Sequence, residues 1–296
     1  MRIVDGSFAA PIIALHGGAG GQDPKSPDAI ASATMSLLAI AAAAKGLLAK
    51  NVSASEVLIH CLKAMEADPQ FNAGLGSALQ ADGHVRMTAA VMSGSTQTFS
   101  GVIGATDMLH PSVLANHLQK SDSRVLSSPG VELLARQIGI PVASPITQSR
   151  LTQWVDKVKA ASCDTVGCLI LTTDGKLYAG TSTGGRGFET PGRVSDSATV
   201  AGTYASAFAA ISATGVGEQI IDDAVAARLE TRCRDGMNLG TAAHKTFAEA
   251  QARSRSYGWI AISKNGEWSA AHTTPAMSYV VQGAGEGEIA SSKAKS

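Results

Sequence analysis

Short apolar stretches that end in turn residues recur in the first third of the chain, and this pattern predicts β-strands. The first stretch, Ile12–His16, leads into the glycine-rich turn HGGAGG at residues 16–21. Residues 71–79, FNAGLGSAL, predict a glycine-rich turn that enters a strand, and Asp82-Gly83 predicts a hairpin turn. Two further strands are expected within residues 85–105.

The middle of the chain contains the clearest hairpin. In residues 163–185, CDTVGCLILTTDGKLYAGTSTGG, two apolar stretches flank the turn signal Thr173-Asp174-Gly175. The first strand begins at Thr165, directly after an acidic residue, and the second ends in hydroxyl residues and glycines. Further on, residues 204–215 are strand-like, and a hairpin is expected about residues 264–266.

Helices are predicted between these strands. Residues 28–49 are rich in alanine, the best helix former. Ser53 and Glu56 form a capping box that opens a helix to about Ala67, and Pro69 ends it. Further helices are expected near residues 111–120, 129–138, 218–233 and 239–254, with a weak helical stretch at 154–159.

Hairpins indicate antiparallel sheets, and helices of this length can cover a sheet face. We therefore expect an α+β fold, a four-layer αββα sandwich of two mainly antiparallel sheets, formed by residues 1–296 as a single domain. Residues 140–163 mix proline, hydroxyl and lysine residues and predict a surface connection. Residues 186–202 predict a loop, and the tail from Gly283 is expected to be loose.

The net charge of the chain argues against some classes of partner. The chain carries 24 basic and 24 acidic side chains, so its net charge of zero argues against nucleic acid as a partner and favours a small substrate. The apolar stretch near the N-terminus is interrupted by Asp5 and Pro11 and is too short to span a bilayer. We expect a cytoplasmic protein that binds neither nucleic acid nor membrane.

The cysteines and histidines do not predict a metal centre. Cys61, Cys163, Cys168 and Cys233 lack the spacing of a zinc site, and free thiols in a reducing compartment are expected. The seven histidines show no metal-ligand spacing either.

One short motif resembles a serine hydrolase signature. Gly180–Gly184 matches GxSxG with Ser182 at its centre, but the motif requires a helix directly after the serine and a loop is expected there. The GxG turns of the chain lack the third glycine of a dinucleotide fingerprint, so nucleotide binding is not favoured either. The candidate triad partners of the serine are Asp222 or Asp223 and then His244 or His272.

Thr165 is the alternative nucleophile. A threonine hydroxyl is weak without an adjacent base, and an N-terminal threonine supplies that base in its own α-amine, whose usual pKa of about 7.7–8.0 leaves it partly neutral near pH 7. This arrangement requires cleavage of the Asp164–Thr165 bond. The surface connection before the bond and Gly167 after it permit such a cut. Threonine is also a common strand former, so other motifs must decide.

Six short motifs lie along the chain on both sides of Thr165 or include it. They are HGGAG (16–20), FNAGLG (71–76), DTVGCLIL (164–171), TSTGG (181–185), PGRVSDS (191–197) and TGVGE (214–218). Together they resemble the plant-type asparaginases, also called isoaspartyl peptidases, over most of residues 11–282. These proteins are N-terminal nucleophile (Ntn) hydrolases with an αββα fold. The resemblance implies self-cleavage into residues 1–164 and 165–296, followed by hydrolysis of L-asparagine and β-aspartyl dipeptides.

The resemblance also implies roles for individual residues. Thr165 matches the nucleophile that is freed when the bond after Asp164 is cut, and Thr183 matches a second threonine whose hydroxyl bonds to it. The two residues end opposite strands of one hairpin, which places them side by side. Thr214 and Gly215 match an oxyanion hole, which holds the negative charge that develops on the attacked carbonyl.

Substrate contacts are implied in the same way. Arg193 and Asp196 match a clamp for the α-carboxylate and α-ammonium of the substrate, which suits a bidentate guanidinium and a carboxylate. Gly217 matches a residue whose carbonyl helps to hold the α-ammonium. Asn72 matches a substrate-site asparagine near the nucleophile.

Two loops and an assembly are implied as well. Gly17 and Gly18 match a flexible loop that helps self-cleavage. No catalytic cofactor is expected, but the loop Met65–Leu75 resembles one that binds a structural sodium ion. The resemblance also implies a homodimer of cleaved units. The backbone carbonyls implied for sodium are those of Met65, Glu66, Asp68, Phe71, Ala73 and Leu75.

The sequence departs from the family pattern at several points. Ser195 stands where members usually have glycine, Thr88 and Ser93 stand where many have aspartate, and the connection before Thr165 is short. We expect slower self-cleavage from the short connection and an altered substrate preference from residues 184–189, GGRGFE, beside the clamp. Two alternatives stay open: a relative that binds aspartyl ligands with little or no cleavage, and a preference for glycosylasparagine.

Overall fold

Two stacked β-sheets form the centre of this computed structural model, which describes residues 1–20, 27–156, 165–285 and 288–291. The strands are β1 Arg2–Ser7, β2 Ile12–Ala19, β3 Met87–Ser93, β4 Thr98–Ala105, β5 Val125–Ser127, β6 Val166–Leu171, β7 Leu177–Thr183, β8 Thr203–Ala205, β9 Ala209–Gly215, β10 Tyr257–Ser263, β11 Glu267–His272, β12 Met277–Gln282 and β13 Glu288–Ser291. One sheet has five strands in the order β1-β11-β10-β9-β8, and the other has eight in the order β13-β12-β2-β6-β7-β3-β4-β5. All neighbours are antiparallel except β4 and β5.

Helices cover the outer face of each sheet. They are α1 Pro27–Ala49, α2 Ala54–Ala67, α3 Pro111–His117, α4 Gly130–Gln137, α5 Gln148–Val155, α6 Gly217–Asp223, α7 Val225–Arg234 and α8 Leu239–Ala252. Helices α1 to α4 pack against the eight-stranded sheet, and α7 and α8 pack against the five-stranded sheet. The α+β fold with αββα layers is therefore confirmed.

The sheets are held together by an apolar layer between them. Ile12, Leu169, Ile260 and Trp268 are buried there. Removal of this apolar surface from water is the main driving force for stacking the two sheets. The layer also fixes the strands that carry the candidate nucleophile against those that carry the candidate oxyanion hole.

The segment Ala29–Ala49 of the alanine-rich helix α1 is long and apolar enough to cross a membrane. A buried stripe of Ala33, Leu37, Ala41 and Ala44 packs this helix against the core of the eight-stranded sheet. Its composition is therefore accounted for by its place in the outer helical layer.

The first predicted strand is longer than expected. It continues through Gly17 and Gly18 to Ala19, so the turn predicted to begin at His16 is wrong. Gly17 packs so tightly that a Cβ atom there would lie 2.6 Å from the ring of Phe71. The loop implied for Gly17 and Gly18 is part of a strand here, and their role in self-cleavage stays a prediction.

Residues 71–79 form no strand, which corrects the prediction for this segment. Gly74 and Gly76 have φ of +55° and +92°, so the chain winds tightly instead of extending. The hairpin turn at Asp82-Gly83 does form, since the Gly83 N–H donates to the Gln80 carbonyl at 2.9 Å, but its flanks are irregular.

Other differences concern element bounds. The strand predicted at 204–215 is divided into β8 and β9, and the helix predicted at 218–233 is divided into α6 and α7 at Ala224, whose φ is +46°. The weak helix predicted at 154–159 is α5, which begins earlier; residues 157–159 lie outside the described part. The tail predicted to be loose contains β13.

Candidate active site

The centre of the site is a pair of threonines at the end of one hairpin. Strands β6 and β7 pair with Val166 opposite Ser182, and this register places Thr165 opposite Thr183. Their hydroxyl oxygens are 3.2 Å apart, and both residues are buried. The Gly185 N–H donates to the Thr183 hydroxyl at 3.1 Å, which holds that oxygen in place. The expected juxtaposition of the two hydroxyls is present, whereas Asp164 lies outside the described residues.

A histidine that the sequence did not single out as functional packs beside the nucleophile's strand. His16 pairs with Gly167, and a Cβ atom on Gly167 would collide with the His16 ring and the Ser212 hydroxyl. The His16 Nε2 atom lies 2.9 Å from Ser212 Oγ. Burial lowers the pKa of His16 to about 3, so the ring is neutral at physiological pH.

Ser212 belongs to a buried chain of hydroxyl groups between the sheets. Its Oγ lies 2.8 Å from Thr181 Oγ1, which in turn lies 2.5 Å from Thr203 Oγ1. Thr203 also donates to the Ser197 carbonyl at 2.9 Å. The alternation of TST in the sequence places Thr181 on the same face as Thr183, which was the available signal for this network.

The candidate oxyanion hole lies at the end of β9. Thr214 is fully buried, and its hydroxyl accepts a hydrogen bond of 3.1 Å from the N–H of Ala19 on the other sheet. Gly215 has φ of +128°, and a Cβ atom there would lie 2.5 Å from the Tyr257 Cα. Only glycine suits this position. The hydrogen bond between Ala19 and Thr214 connects the end of β9 to the end of β2. Strand β2 pairs with β6, the strand that directly follows Thr165.

The two charged residues of the candidate substrate clamp, Arg193 and Asp196, both lie against Gly217. A Cβ atom on Gly217 would lie 2.5 Å from Arg193 Nη2 and 2.8 Å from Asp196 Oδ1. The structure therefore brings Arg193, Asp196 and Gly217 together as expected. Asp196 is 2% exposed, and its Oδ2 atom has no hydrogen-bond partner among the described residues.

The environment of the Asp196 carboxyl group suits the binding of a cationic ligand. Burial raises its pKa to about 6, although the charge of Arg193 and a hydrogen bond from the Ser195 hydroxyl act to lower it. Ser195, which stands where family members usually have glycine, donates to Asp196 Oδ1 at 3.2 Å. A substrate ammonium group would supply the missing partner.

Glu218 is a site residue to which sequence reasoning gave no role. Its carboxylate accepts from Arg193 Nε at 3.0 Å and lies 3.5 Å from Arg186 Nη1. Burial acts to raise the pKa of Glu218, but the hydrogen bond from Arg193 and the two positive charges lower it below the usual value. Glu218 is therefore a carboxylate that orients the clamp arginine. Its place in the motif TGVGE was the only signal.

Asn72 lies near the threonine pair and supports the loop that follows it. Its side-chain Nδ2 donates to the Gly185 carbonyl at 2.6 Å, and its Oδ1 accepts from the Ala78 N–H at 2.8 Å. Its own carbonyl accepts from the Gly184 N–H at 2.8 Å. These contacts make Asn72 a positioning residue, and its contact with substrate stays a prediction.

The serine hydrolase reading is wrong. Ser182 faces away from the threonine pair and donates to the buried Glu66 carboxylate at 2.8 Å. Of the candidate partners, His244 contacts Asp5 and Asp223 accepts from the Tyr257 hydroxyl. These residues are held in separate ion-pair and hydrogen-bond contacts.

The carbonyls implied for sodium lie in a tightly wound loop. Those of Met65, Glu66 and Asp68 accept backbone hydrogen bonds of 3.3, 2.7 and 3.1 Å, from the N–H groups of Asp68, Leu75 and Phe71. A carbonyl oxygen has a second lone pair, so the donor set remains compatible with a cation held by backbone oxygens. Sodium binding stays a prediction.

The three cysteines that the structure describes form no disulfide. Cys61, Cys168 and Cys233 are free, and Cys163 lies outside the described residues. Within the ranges that the structure describes, no group of His, Cys, Asp and Glu side chains could hold a metal ion.

The αββα layers, with a threonine at the start of a central strand and a second hydroxyl beside it, define an N-terminal nucleophile hydrolase fold. The family described as Asparaginase matches residues 9–290. The chain belongs to this asparaginase family.

Several relatives are similar to this chain over most of their length. An isoaspartyl peptidase/L-asparaginase of Nostoc sp. is 39% identical over 280 residues, which cover 88% of each chain. The human isoaspartyl peptidase/L-asparaginase is 30% identical over 283 residues, covering 90% of this chain and 91% of its own. A plant-type L-asparaginase of Pyrococcus horikoshii is 32% identical over 252 residues, covering 77% and 82%.

Proposed function

We propose that the protein is a threonine amidohydrolase that hydrolyses L-asparagine to aspartate and ammonia and cleaves β-aspartyl dipeptides, after cutting its own chain between Asp164 and Thr165. The observation that carries the proposal is the 3.2 Å contact between the Thr165 and Thr183 hydroxyls, together with a clamp of opposite charges in which Asp196 is buried. Family membership and the names of the relatives support the same substrates.

The chemistry follows from the positions of these groups. The Thr165 hydroxyl attacks the β-amide carbon while its freed α-amine takes the proton. The Thr214 hydroxyl and Gly215 N–H stabilise the oxyanion. The amine then protonates the leaving nitrogen, which departs as ammonia or an amino acid. Water hydrolyses the β-aspartyl ester, which releases aspartate and restores Thr165.

The clamp selects the substrate class. Arg193 binds the α-carboxylate and Asp196 the α-ammonium, two charges that asparagine and β-aspartyl peptides share. Buried charges of this kind bind a partner well only when both are matched, so a substrate that lacks either group is rejected.

Intact-mass measurement over days at neutral pH tests the proposal first. Fragments that begin at Met1 and Thr165, followed by release of aspartate from both substrates, are expected. Thr165→Ala should remain uncut and inactive. A wild-type chain that stays uncut, even with added glycine, while it still binds aspartate would favour the alternative of a non-catalytic relative. Preferred turnover of glycosylasparagine would support the other alternative.

The assembly and location are further parts of the proposal. We propose a homodimer of cleaved units in the cytoplasm, with a structural sodium ion in the Met65–Leu75 loop. Met35 of α1 is 65% exposed on a face of small apolar residues, a surface that suits burial against a second copy. Light scattering of the cleaved protein tests the homodimer, and thermal unfolding with and without sodium tests the bound ion.

A further inference from the structure

The loop of residues 184–189 (the GGRGFE loop) joins the threonine pair to the substrate clamp. At its start, the Gly185 N–H donates to the Thr183 hydroxyl at 3.1 Å. Its arginine, Arg186, reaches Glu218 at 3.5 Å, and Glu218 also binds Arg193. The main chain of Arg186 is fixed by a 3.0 Å hydrogen bond to Glu189. The loop therefore forms a wall of the site beside the reacting group.

An exposed aromatic pair continues this wall. Phe188 is 38% exposed and has φ of +57°, a conformation that costs energy for a bulky residue and that tends to occur at functional sites. Its ring stacks on Trp154 of α5 with centroids 6.3 Å apart. Trp154 is fixed in turn by a 3.0 Å hydrogen bond to the Gln80 carbonyl. The wall thus offers an anchored apolar surface to solvent.

The wall offers a second guanidinium beside the clamp. Arg186 and Arg193 share the Glu218 carboxylate, which Arg186 meets only at 3.5 Å, whereas the Glu189 carboxylate of the same loop is bound by the Arg186 main-chain N–H. Asparagine has one carboxylate, which Arg193 is proposed to bind. A β-aspartyl dipeptide has a second carboxylate, on the amino acid that is released. Arg186 is 40% exposed at its side chain and lies where a second anion can meet it.

We propose that Arg186 and the stacked pair Phe188–Trp154 form a subsite for the leaving amino acid of β-aspartyl dipeptides. Arg186 binds the α-carboxylate of that residue, and the aromatic pair packs against its apolar side chain. The subsite rests on the proposed function, since it concerns the leaving group of that reaction. It favours dipeptides with a free C-terminal carboxylate and an apolar side chain over asparagine.

The test compares three substrates with the mature enzyme: L-asparagine, β-aspartyl-leucine and β-aspartyl-leucine amide. The wild type should favour the free acid over the amide by about fivefold in kcat/KM, the size of a partly exposed ion pair. Arg186→Gln should abolish this preference, and Arg186→Lys should retain part of it. Arg136→Gln, an exposed arginine on α4, serves as the matched control and should keep the wild-type ratio.

The aromatic pair is tested separately. Phe188→Asn removes the ring and suits a positive φ, so the backbone of the loop is retained. The ratio of kcat/KM for β-aspartyl-leucine to that for β-aspartyl-glycine should fall by about threefold, as expected for partial loss of apolar contact. Complete self-cleavage, followed by mass, confirms that each variant is folded.

Three results would overturn the subsite. One is an acid-to-amide ratio that Arg186→Gln leaves unchanged. Another is a parallel fall for asparagine and dipeptide, which would mean that Arg186 acts only through Glu218 on Arg193. The third, a cleaved wild type that hydrolyses neither asparagine nor dipeptide, would overturn the proposed function together with the subsite.

Discussion

The hydroxyl oxygens of Thr165 and Thr183 lie 3.2 Å apart across two paired strands. The spacing is set by strand register, because β6 and β7 pair without a break from Val166–Ser182 to Leu171–Leu177 and almost every residue of the two strands is buried. Thr183 also accepts from the Gly185 N–H, so its oxygen has a fixed position. The nucleophile is therefore oriented by the paired end of one hairpin and by the N–H of the loop residue that follows it.

The first prediction concerns this contact. Thr183→Val keeps the branched shape of the side chain but removes the hydroxyl. Self-cleavage and kcat for asparagine should both fall at least about tenfold, since the orientation of the attacking oxygen is lost. Intact mass and a coupled ammonia assay measure the two rates. Thr183→Ser, which retains the hydroxyl, should keep most of both activities; wild-type rates in Thr183→Val would contradict the role.

The second prediction concerns the clamp. Gly217→Ala places a Cβ atom where Arg193 and Asp196 now approach the glycine, so the two charged groups must move apart. The KM for asparagine should rise about tenfold or more, with a smaller change in kcat. Gly130→Ala, in α4, where the new Cβ would make only ordinary contacts with Leu126 at 3.8 Å or more, should leave the kinetics unchanged. An unaltered KM in Gly217→Ala would exclude the close packing as a determinant of binding.

The sequence predicted those parts of the molecule that depend on local pattern. The hairpin about Thr173–Gly175 follows from alternating apolar residues around a turn, and its ends place Thr165 and Thr183 together. Element breaks at positive φ, such as Ala224, were missed because nothing in a helix-forming sequence marks them. The glycine-rich turn in residues 71–79 was predicted, but the strand expected after it does not form, and the close backbone approach at Gly74 to Glu66 and Leu109 arises from the tertiary fold.

The residues of the candidate site also fall into two groups, those that a local motif predicts and those that only the tertiary fold brings together. Arg193 and Asp196 could be named from a motif because they lie three residues apart. Glu218 and Ser212 contact these residues or His16 from other elements, and only the tertiary fold brings them there. Their roles therefore required the structure.

A third prediction concerns the buried hydroxyl chain. Ser212→Ala leaves His16 Nε2 and the Thr181 hydroxyl each without one hydrogen-bond partner. The free energy of unfolding should fall by about 1–3 kcal/mol, the cost of unsatisfied buried polar groups. Urea denaturation measures this change. Ser149→Ala, at an exposed position of α5, should change it by less than about 0.5 kcal/mol. Equal stabilities of the two variants would show that the chain is energetically neutral.

The fourth prediction is a pH dependence of stability that originates at Asp196. Its pKa in the folded protein is about 6, above the ordinary value of 3.8, so the folded state binds the proton more tightly than the unfolded state. Its contribution to stability is therefore fully present below about pH 4 and is lost as the pH rises through about 6. Asp196→Asn should exceed the wild type in unfolding free energy by about 1–3 kcal/mol at pH 7 and by little at pH 4.

The affinity for ligand should depend on pH in the opposite direction to the stability. This difference separates the role of Asp196 in binding from its cost in stability. Only the carboxylate form can pair with an α-ammonium, so the affinity of the wild type for L-aspartate should weaken progressively as the pH falls below about 6. Asp196→Asn should bind L-aspartate weakly at every pH, because an amide supplies no negative charge. Inhibition constants measured between pH 5 and 8 for both proteins provide the comparison. A variant that binds aspartate as tightly as the wild type at pH 7 would remove Asp196 from the clamp, whatever its effect on stability.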